Sequence, residues 1–282
     1  ITYCEPDQLI ELWKWTDENN RQFDIHAPAV FDQKYLAARR GWEGGSFEWL
    51  DHVGILGPNV IAAHAQNLRP GEEKLIADAG ASIALVPDME QVLGLVNFNA
   101  RPFLDSNITC GIGLDGAVVA YGHNMWTAMR GYLTAQRMGD QHRLMMSETD
   151  IKWTGEEVLY GSAEQALELA TIDGAKALMM DDKIGSIETG KEADLVLIDR
   201  TEESHLTPMG SLIASLVYGN GPNQNAIEAV MVHGEVIVKR GQHQTLDHRK
   251  IVERSDQVQE ILLDETNARQ YLRKRSRFNW ID

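Results

Sequence analysis

Three ionisable residues each end a short apolar run: His26 after residues 23–25, His64 after 60–63 and Asp115 after 110–114. Runs of this length are too short for helices and read as buried parallel strands. In a barrel of parallel strands the C-terminal strand ends converge on one mouth, so the three positions make one candidate site. Imidazole nitrogens and a carboxylate are ordinary ligands of zinc-like ions, and a site with one open coordination position lets water ionise near neutral pH. Taken singly, each residue has a structural explanation as well. A strand-end His is often only hydrogen-bonded, and Asp115, set in GLDG, can bind nearby turn amides.

The spacing of apolar residues shows which elements must hold these side chains. Apolar runs at 1–4, 23–26, 60–64, 82–86 and 108–114 alternate with helix-like stretches, an order that predicts a parallel sheet with crossover helices. Leu9, Leu12, Trp13 and Thr16 share one helical face between the first two runs. Leu75, Ile76 and Ala79 mark a helix stopped by Gly80, which can take the left-handed conformation of a C-cap. Ser162, with Gln165 three residues on, reads as a capping box, and the inner face of that helix would be Ala166, Leu167, Ala170, Gly174, Ala177 and Leu178. Such small residues predict close packing. After Asp182, glycines punctuate short strands at 193–198, 229–232 and 235–238, and residues 253–275 read as a terminal helix. The chain is thus expected to divide into an α/β part over residues 1–182, a β-sandwich segment over 183–245 and a helical tail over 246–282.

A formal charge of -16 on 282 residues repels phosphate backbones, so nucleic acid is a poor partner. The one basic run, Arg273, Lys274, Arg275 and Arg277, lies in the tail. No apolar stretch approaches the roughly 18 residues of a membrane helix. Cys4 and Cys110 cannot build a disulfide framework, and a reducing cytoplasm is the expected compartment. The sequence opens on Ile1 inside a strand-like run, from which a further N-terminal portion or a second chain is expected to complete the fold.

On these residues the sequence resembles the amidohydrolase superfamily, in its deaminase and chlorohydrolase branch. IAAHAQNL around His64 resembles the sixth-strand segment of that family, GASIALVP its seventh and GIGLDG around Asp115 its eighth. The most specific stretch, ALELATIDGAKALMMDDKIGSIETGKEADLVLID, resembles the return from the last barrel helix into the small sandwich. The resemblance implies an α/β fold, the C-terminal part of a (β/α)8 TIM-like barrel holding strands four to eight, with residues 1–4 as the fourth. It implies His26 as a metal ligand, Asp115 as a metal ligand that also takes the proton of the attacking water, and His64 as the group that polarises a carbonyl or steadies the oxyanion. One divalent transition metal per site follows, zinc ahead of cobalt, iron or manganese. The HxH ligand pair that the family carries on its first strand is absent from this sequence. Asn99 with Phe98 and Arg101, and His123 with Tyr121, Asn124 and Trp126, follow strands at the mouth and are the expected substrate contacts. Trp42, Phe47 and Trp49 offer either an apolar wall for a hydrophobic small molecule or plain packing of a long excursion.

Two departures bear on the reaction. Where the deaminases carry a proton-shuttling Glu three residues after the fifth-strand His, this chain has Ala29, and where they read HNP it has Val86, Pro87 and Asp88. Ring deamination must protonate a ring nitrogen as well as deliver hydroxide. The pattern is similar to hydrolases of the molinate hydrolase and phenylurea hydrolase type. The expectation is therefore a metal-dependent hydrolase of a C–N or C–S bond in an amide, urea or thiocarbamate, with a xenobiotic substrate and a homo-oligomeric assembly. The alternatives are a heterocycle deaminase or dechlorinase and a catalytically dead relative kept for assembly or regulation.

Overall fold

Apolar residues of alternating or continuous burial build a parallel sheet, and each strand hands the chain to a helix that covers it. The computed structural model describes residues 1–282 except 2–3, 28–29, 95–97, 121, 147–159, 207–209 and 273–282. Helix α1 (Pro6–Glu18) starts with Pro6 in its first turn and buries Leu9. It leads to β1 (Phe23–Ala27), where Phe23, Ile25 and Ala27 point into the core and Asp24 and His26 occupy the other, accessible face. Then come α2 (Val30–Arg40), α3 (Ser46–His52), β2 (Val60–His64), α4 (Glu72–Ala79), β3 (Ser82–Leu85), α5 (Pro87–Leu93), α6 (Arg101–Asp105) and β4 (Cys110–Ile112). The strands pair in parallel in the order β1-β2-β3-β4. Gly80 ends α4 at φ 71°, the left-handed cap expected of it.

Helices α7 (Ala117–Ala120), α8 (Met125–Met146), α9 (Ala163–Leu169) and α10 (Ile172–Ala177) follow. The Ser162 hydroxyl accepts the Gln165 amide, which is half of the expected capping box; the Gln165 side-chain oxygen accepts from the Tyr132 hydroxyl instead. The single helix expected beyond it is two helices. Thr171 donates its hydroxyl to the Leu167 carbonyl, a side-chain bond that competes with helix continuation, and the chain turns at that point. The turn brings Gly174 against β4, where a Cβ on Gly111 would lie 3.0 Å from the Gly174 Cα. Close packing through small residues is therefore real, but it is delivered by the second, shorter helix.

A second sheet, wholly antiparallel, contains β5 (Leu195–Ile198), β6 (Ile227–Val232), β7 (Glu235–Lys239) and β8 (Gln242–His243), with α11 (Leu212–Tyr218) between β5 and β6. The β6–β7 hairpin turns through His233 and Gly234, both at positive φ, as a twisted two-residue turn requires. Among the described residues this segment is one antiparallel layer. The tail forms α12 (His248–Glu265), capped by Asp247, and α13 (Arg269–Leu272), so the terminal helix starts earlier than expected and is interrupted. The strand expected at 1–4 is not among the described elements: Ile1 and Cys4 lie outside any strand, and Thr2 and Tyr3 lie outside the described residues, as does the basic run 273–277. No helix among the described residues is long and apolar enough to cross a membrane.

The 41–72 excursion is held by one carboxylate. Glu72, 1% exposed, accepts the Phe47 and Glu48 amides on Oε1 at 2.7 and 3.3 Å and the Arg69 amide on Oε2 at 2.8 Å. It thus satisfies the free N–H groups that open α3 from a position 25 residues away. Phe47 and Trp49 are buried and Trp42 stacks on His52, so this aromatic group packs the excursion.

Candidate active site

The parallel register sets β1 beside β2, with His26 opposite Ala63 and Ala27 opposite His64. Their imidazole rings consequently meet edge to face, with centroids 4.8 Å apart and planes at 82°. The His64 ring then spans two carboxylates. Its Nδ1 lies 3.3 Å from Glu90 Oε1, and its Nε2 lies 3.8 Å from Asp115 Oδ2. The second distance is too long for a hydrogen bond, so the two groups face one another without bonding. Asp115 accepts its neighbouring Gly116 amide on Oδ1, which leaves Oδ2 for the site. The turn explanation for this carboxylate therefore holds, and its second oxygen faces His64.

Some of the chain's left-handed backbone lies here. His64, Ala65 and Asp115 have φ of 75°, 51° and 57°, a left-handed region that costs L-residues about 1–2 kcal/mol each. Such outliers gather where tertiary contacts aim a side chain at a functional site.

Burial sets the electrostatics. It lowers the His26 pKa, helped by His64 and opposed by Asp115, and so favours the neutral imidazole that ligates metals. Burial raises Asp24 and Glu90, with His64 opposing in both cases. On the first turn of α2, Asp32 is fully buried with no hydrogen-bond partner for either oxygen among the described residues, and burial pushes it up to about 6 against the pull of His64. Its carboxyl is protonated in both folded and unfolded chains below pH ~4, whereas between about 4 and 6 only the unfolded chain ionises freely. Stability should therefore fall by up to ~3 kcal/mol as pH rises through that window. Asp32→Asn should flatten this slope and stabilise the chain at pH 7 by about 1 kcal/mol, the buried amide taking back part of the gain. Urea denaturation at pH 4, 5, 6 and 7 measures both; an unchanged slope would overturn the assignment.

The expected substrate contacts are only partly free to serve. Asn99 lines a cleft of about 1220 Å³ together with Gln66, Glu90, Phe98, Phe103 and Met138. Its side-chain oxygen, however, accepts the Arg101 amide and the Gln136 side chain, so it braces the wall. Gln66 ties this wall to the site, donating to the His64 carbonyl and accepting the Asn99 amide. His123 places Nε2 2.7 Å from the Asp115 backbone carbonyl and supports that residue from behind. Arg101 pairs with Asp140 and lies over Tyr160, and Asn124 accepts amides at the start of α8; Tyr121 and Ala29 lie outside the described residues.

Sequence reading missed Glu90. Its signal was faint: an acidic residue flanked by Val86, Pro87, Met89 and Val92, on the face of α5 that turns inward. Among the described residues no group of three or more His, Cys, Asp or Glu side chains is disposed to hold a metal ion. His26 and Asp115 match such an ion in donor chemistry and are one short of the three protein ligands of a catalytic zinc site.

The sequence model of the amidohydrolase family matches residues 2–237. The 5'-deoxyadenosine deaminase of Methanosarcina mazei is 23% identical over 265 residues, which are 94% of this chain and 56% of that protein. The 5-methylthioadenosine/S-adenosylhomocysteine deaminase of Moorella thermoacetica is 30% identical over 203 residues, 72% of this chain and 43% of that protein. The chain thus spans about half the length of the curated relatives it matches. Among solved structures, an adenosine deaminase from Xanthomonas campestris with bound zinc superposes with a TM-score of 0.77 at 21% identity, covering 92% of this chain and 54% of that one. An atrazine chlorohydrolase from Arthrobacter aurescens complexed with zinc does so at 0.77 and 22%, covering 91% and 52%. At these identities the two structures speak for the fold alone. With a family match over most of its length and the parallel sheet of that fold, the chain belongs to the amidohydrolase family.

Proposed function

We propose that the complete protein is a hydrolase that directs water at a carbonyl-like carbon and breaks a C–N or C–S bond, with amides, ureas and thiocarbamates as the substrate class. The observation that carries this reading is the gathering of His26, His64 and Asp115, far apart in sequence, at the ends of neighbouring parallel strands. His26 and Asp115 would hold one divalent cation, with the remaining ligands supplied by polypeptide other than this chain. A cation so held would supply nucleophilic hydroxide at neutral pH. Asp115 Oδ2 takes the proton of the attacking water, and His64 Nε2 donates to the developing oxyanion. The cleft beside Glu90, walled by Phe98 and Phe103, admits an apolar body. Residues 1–182 would form the barrel portion, 183–245 the second β-rich unit and 246–282 the tail, in an assembly of several copies.

A second reading, deamination of a purine-type ring, has its own support in the curated relatives that carry deaminase names. Position 29 lacks the acid that such a reaction needs. Asp32, one helical turn further along α2 and shifted to about 6, is a carboxyl that could protonate a ring nitrogen. The two readings are separated by assaying the full-length, zinc-loaded protein for ammonia from adenosine-type nucleosides and for amine or thiol from phenylureas and thiocarbamates. Amine or thiol release at least 10-fold faster supports the first reading. Ammonia release alone replaces it with the second, and neither product, with less than about half a metal ion per site, favours a catalytically dead relative.

A further inference from the structure

The tail helix α12 stands with its apolar side uncovered. Of its 18 residues only Leu263 is half-buried, and every other one is exposed. Ile251, Ser255, Val258 and Leu262 form one stripe along it, and a groove of about 560 Å³ follows that stripe past Ser255, Val258, Leu262 and Thr266. A helix of this length with no packed face is marginal in water. Its charges make a solitary state costlier still. Arg249 and Lys250 stand in the first turn and Asp264 and Glu265 in the last, with no acid at the start and no base at the end, the reverse of what the helix dipole favours. Part of this is relieved within the chain, where Lys250 lies 3.6 Å from Asp247 and Arg269 pairs with Glu260 and Asp264. Arg249 and Glu265 have no ion pair among the described residues.

We propose that α12 docks antiparallel on α12 of a second copy of this chain. The stripe reads the same from either end, since its spacings of four, three and four residues are unchanged on reversal. A two-fold axis between residues 256 and 257 therefore sets Ile251 against Leu262 of the partner subunit and Ser255 against Val258 of the partner subunit, the self-complementary pattern of an isologous contact. The same axis brings the basic first turn of each helix to the acidic last turn of the other, Arg249 facing Asp264 of the partner subunit, and opposes the two dipoles. A parallel pair would place like charges side by side. An unrelated segment requires neither symmetry, whereas a copy of the same helix requires both. The inference supplies the surface for the assembly of several copies in the function proposed above and does not depend on the reaction.

Analytical ultracentrifugation of the full-length protein at up to about 100 μM tests this, a range that reaches weak dimers. The wild type should associate, and Val258→Glu combined with Leu262→Glu should weaken that association by at least about 100-fold. Both positions are exposed, so circular dichroism should show the fold intact. Arg249→Glu with Lys250→Glu suits the dipole and should keep or raise helix content while weakening association by about 10-fold. Adding Asp264→Lys and Glu265→Lys to that same chain should restore it. Deleting residues 273–282, and with them the basic run, should leave association as it is. Nitroxide labels give the orientation: at Gln257→Cys the two copies should be close, and at His248→Cys about 25 Å apart along the axis. A wild type that stays monomeric, an association that Val258→Glu with Leu262→Glu does not weaken, no restoration by the double reversal, loss of association on the deletion, or labels at 248 as close as those at 257 overturns the inference. So does a fall in melting temperature of the Val258→Glu, Leu262→Glu protein without a change in mass, which would mean that the chain's own preceding polypeptide covers the stripe. Absence of product in the assays above, with association as stated, would sink the hydrolase reading and leave this one standing.

Discussion

Asp115→Asn is expected to lower turnover of the complete enzyme by about 10²–10⁴-fold, the range over which a positioned proton acceptor contributes. Asparagine is the informative replacement because Asp115 sits at φ 57°, a conformation that Asn adopts readily and Ala does not. The amide oxygen can also keep the local bond to the Gly116 amide now made by Oδ1. Backbone and turn then stay as they are, and the change falls on the group facing His64 Nε2. Metal content measured on the purified variant should fall as well, since a neutral amide oxygen binds a divalent cation more weakly than a carboxylate. Steady-state kinetics, elemental analysis and a thermal scan check the three parts together. Undiminished kcat would remove the proposed role of Asp115 outright.

The largest effect on stability is expected from Glu72→Ala, a loss of about 3–5 kcal/mol. Three backbone amides, two at the start of α3 and one at Arg69, would lose their acceptor, the Phe47 bond wholly buried and the other two partly so. No nearby group among the described residues replaces it. The fit around the carboxylate is so close that a Cβ on Gly45 would fall 2.1 Å from Glu72 Oε1. The chain between β1 and β2 would thus lose its anchor, and with it the packing of Phe47 and Trp49. For a protein of this size the melting temperature should drop by about 10 °C, readable by calorimetry. A drop under about 2 °C would mean that the carboxylate is not the clamp described.

The strands that carry the site were legible because their apolar runs are dense and end in a residue of a different kind. The run at 60–64 has the bounds of β2, and the run at 23–26 falls one residue short of β1. The helix start at Ser162 was equally plain, since hydroxyl and Gln165 amide meet within one turn. Features that depend on distant chain were not legible. Nothing local marks Glu72 as the cap of a helix 25 residues earlier, or Glu90 as the partner of a histidine 26 residues back. The break at Thr171 was hidden for a related reason, because Ala and Leu continue on both sides while the turn is favoured by the Thr171 bond to Leu167 and by the approach of Gly174 to Gly111. Asn99 and His123 do lie near the mouth, yet hydrogen bonds that no spacing rule contains make them braces.

Left-handed backbone at His64, Ala65 and Asp115 sets a trap for anyone who would make this protein tougher. Glycine at any of the three would relax the main chain by about 1 kcal/mol, a gain that at 64 is set against the loss of a buried ring. At 64 and 115 the change would also remove the side chains on which the proposed chemistry rests. Library design should exempt those two codons and let hardening come from the outer helices instead.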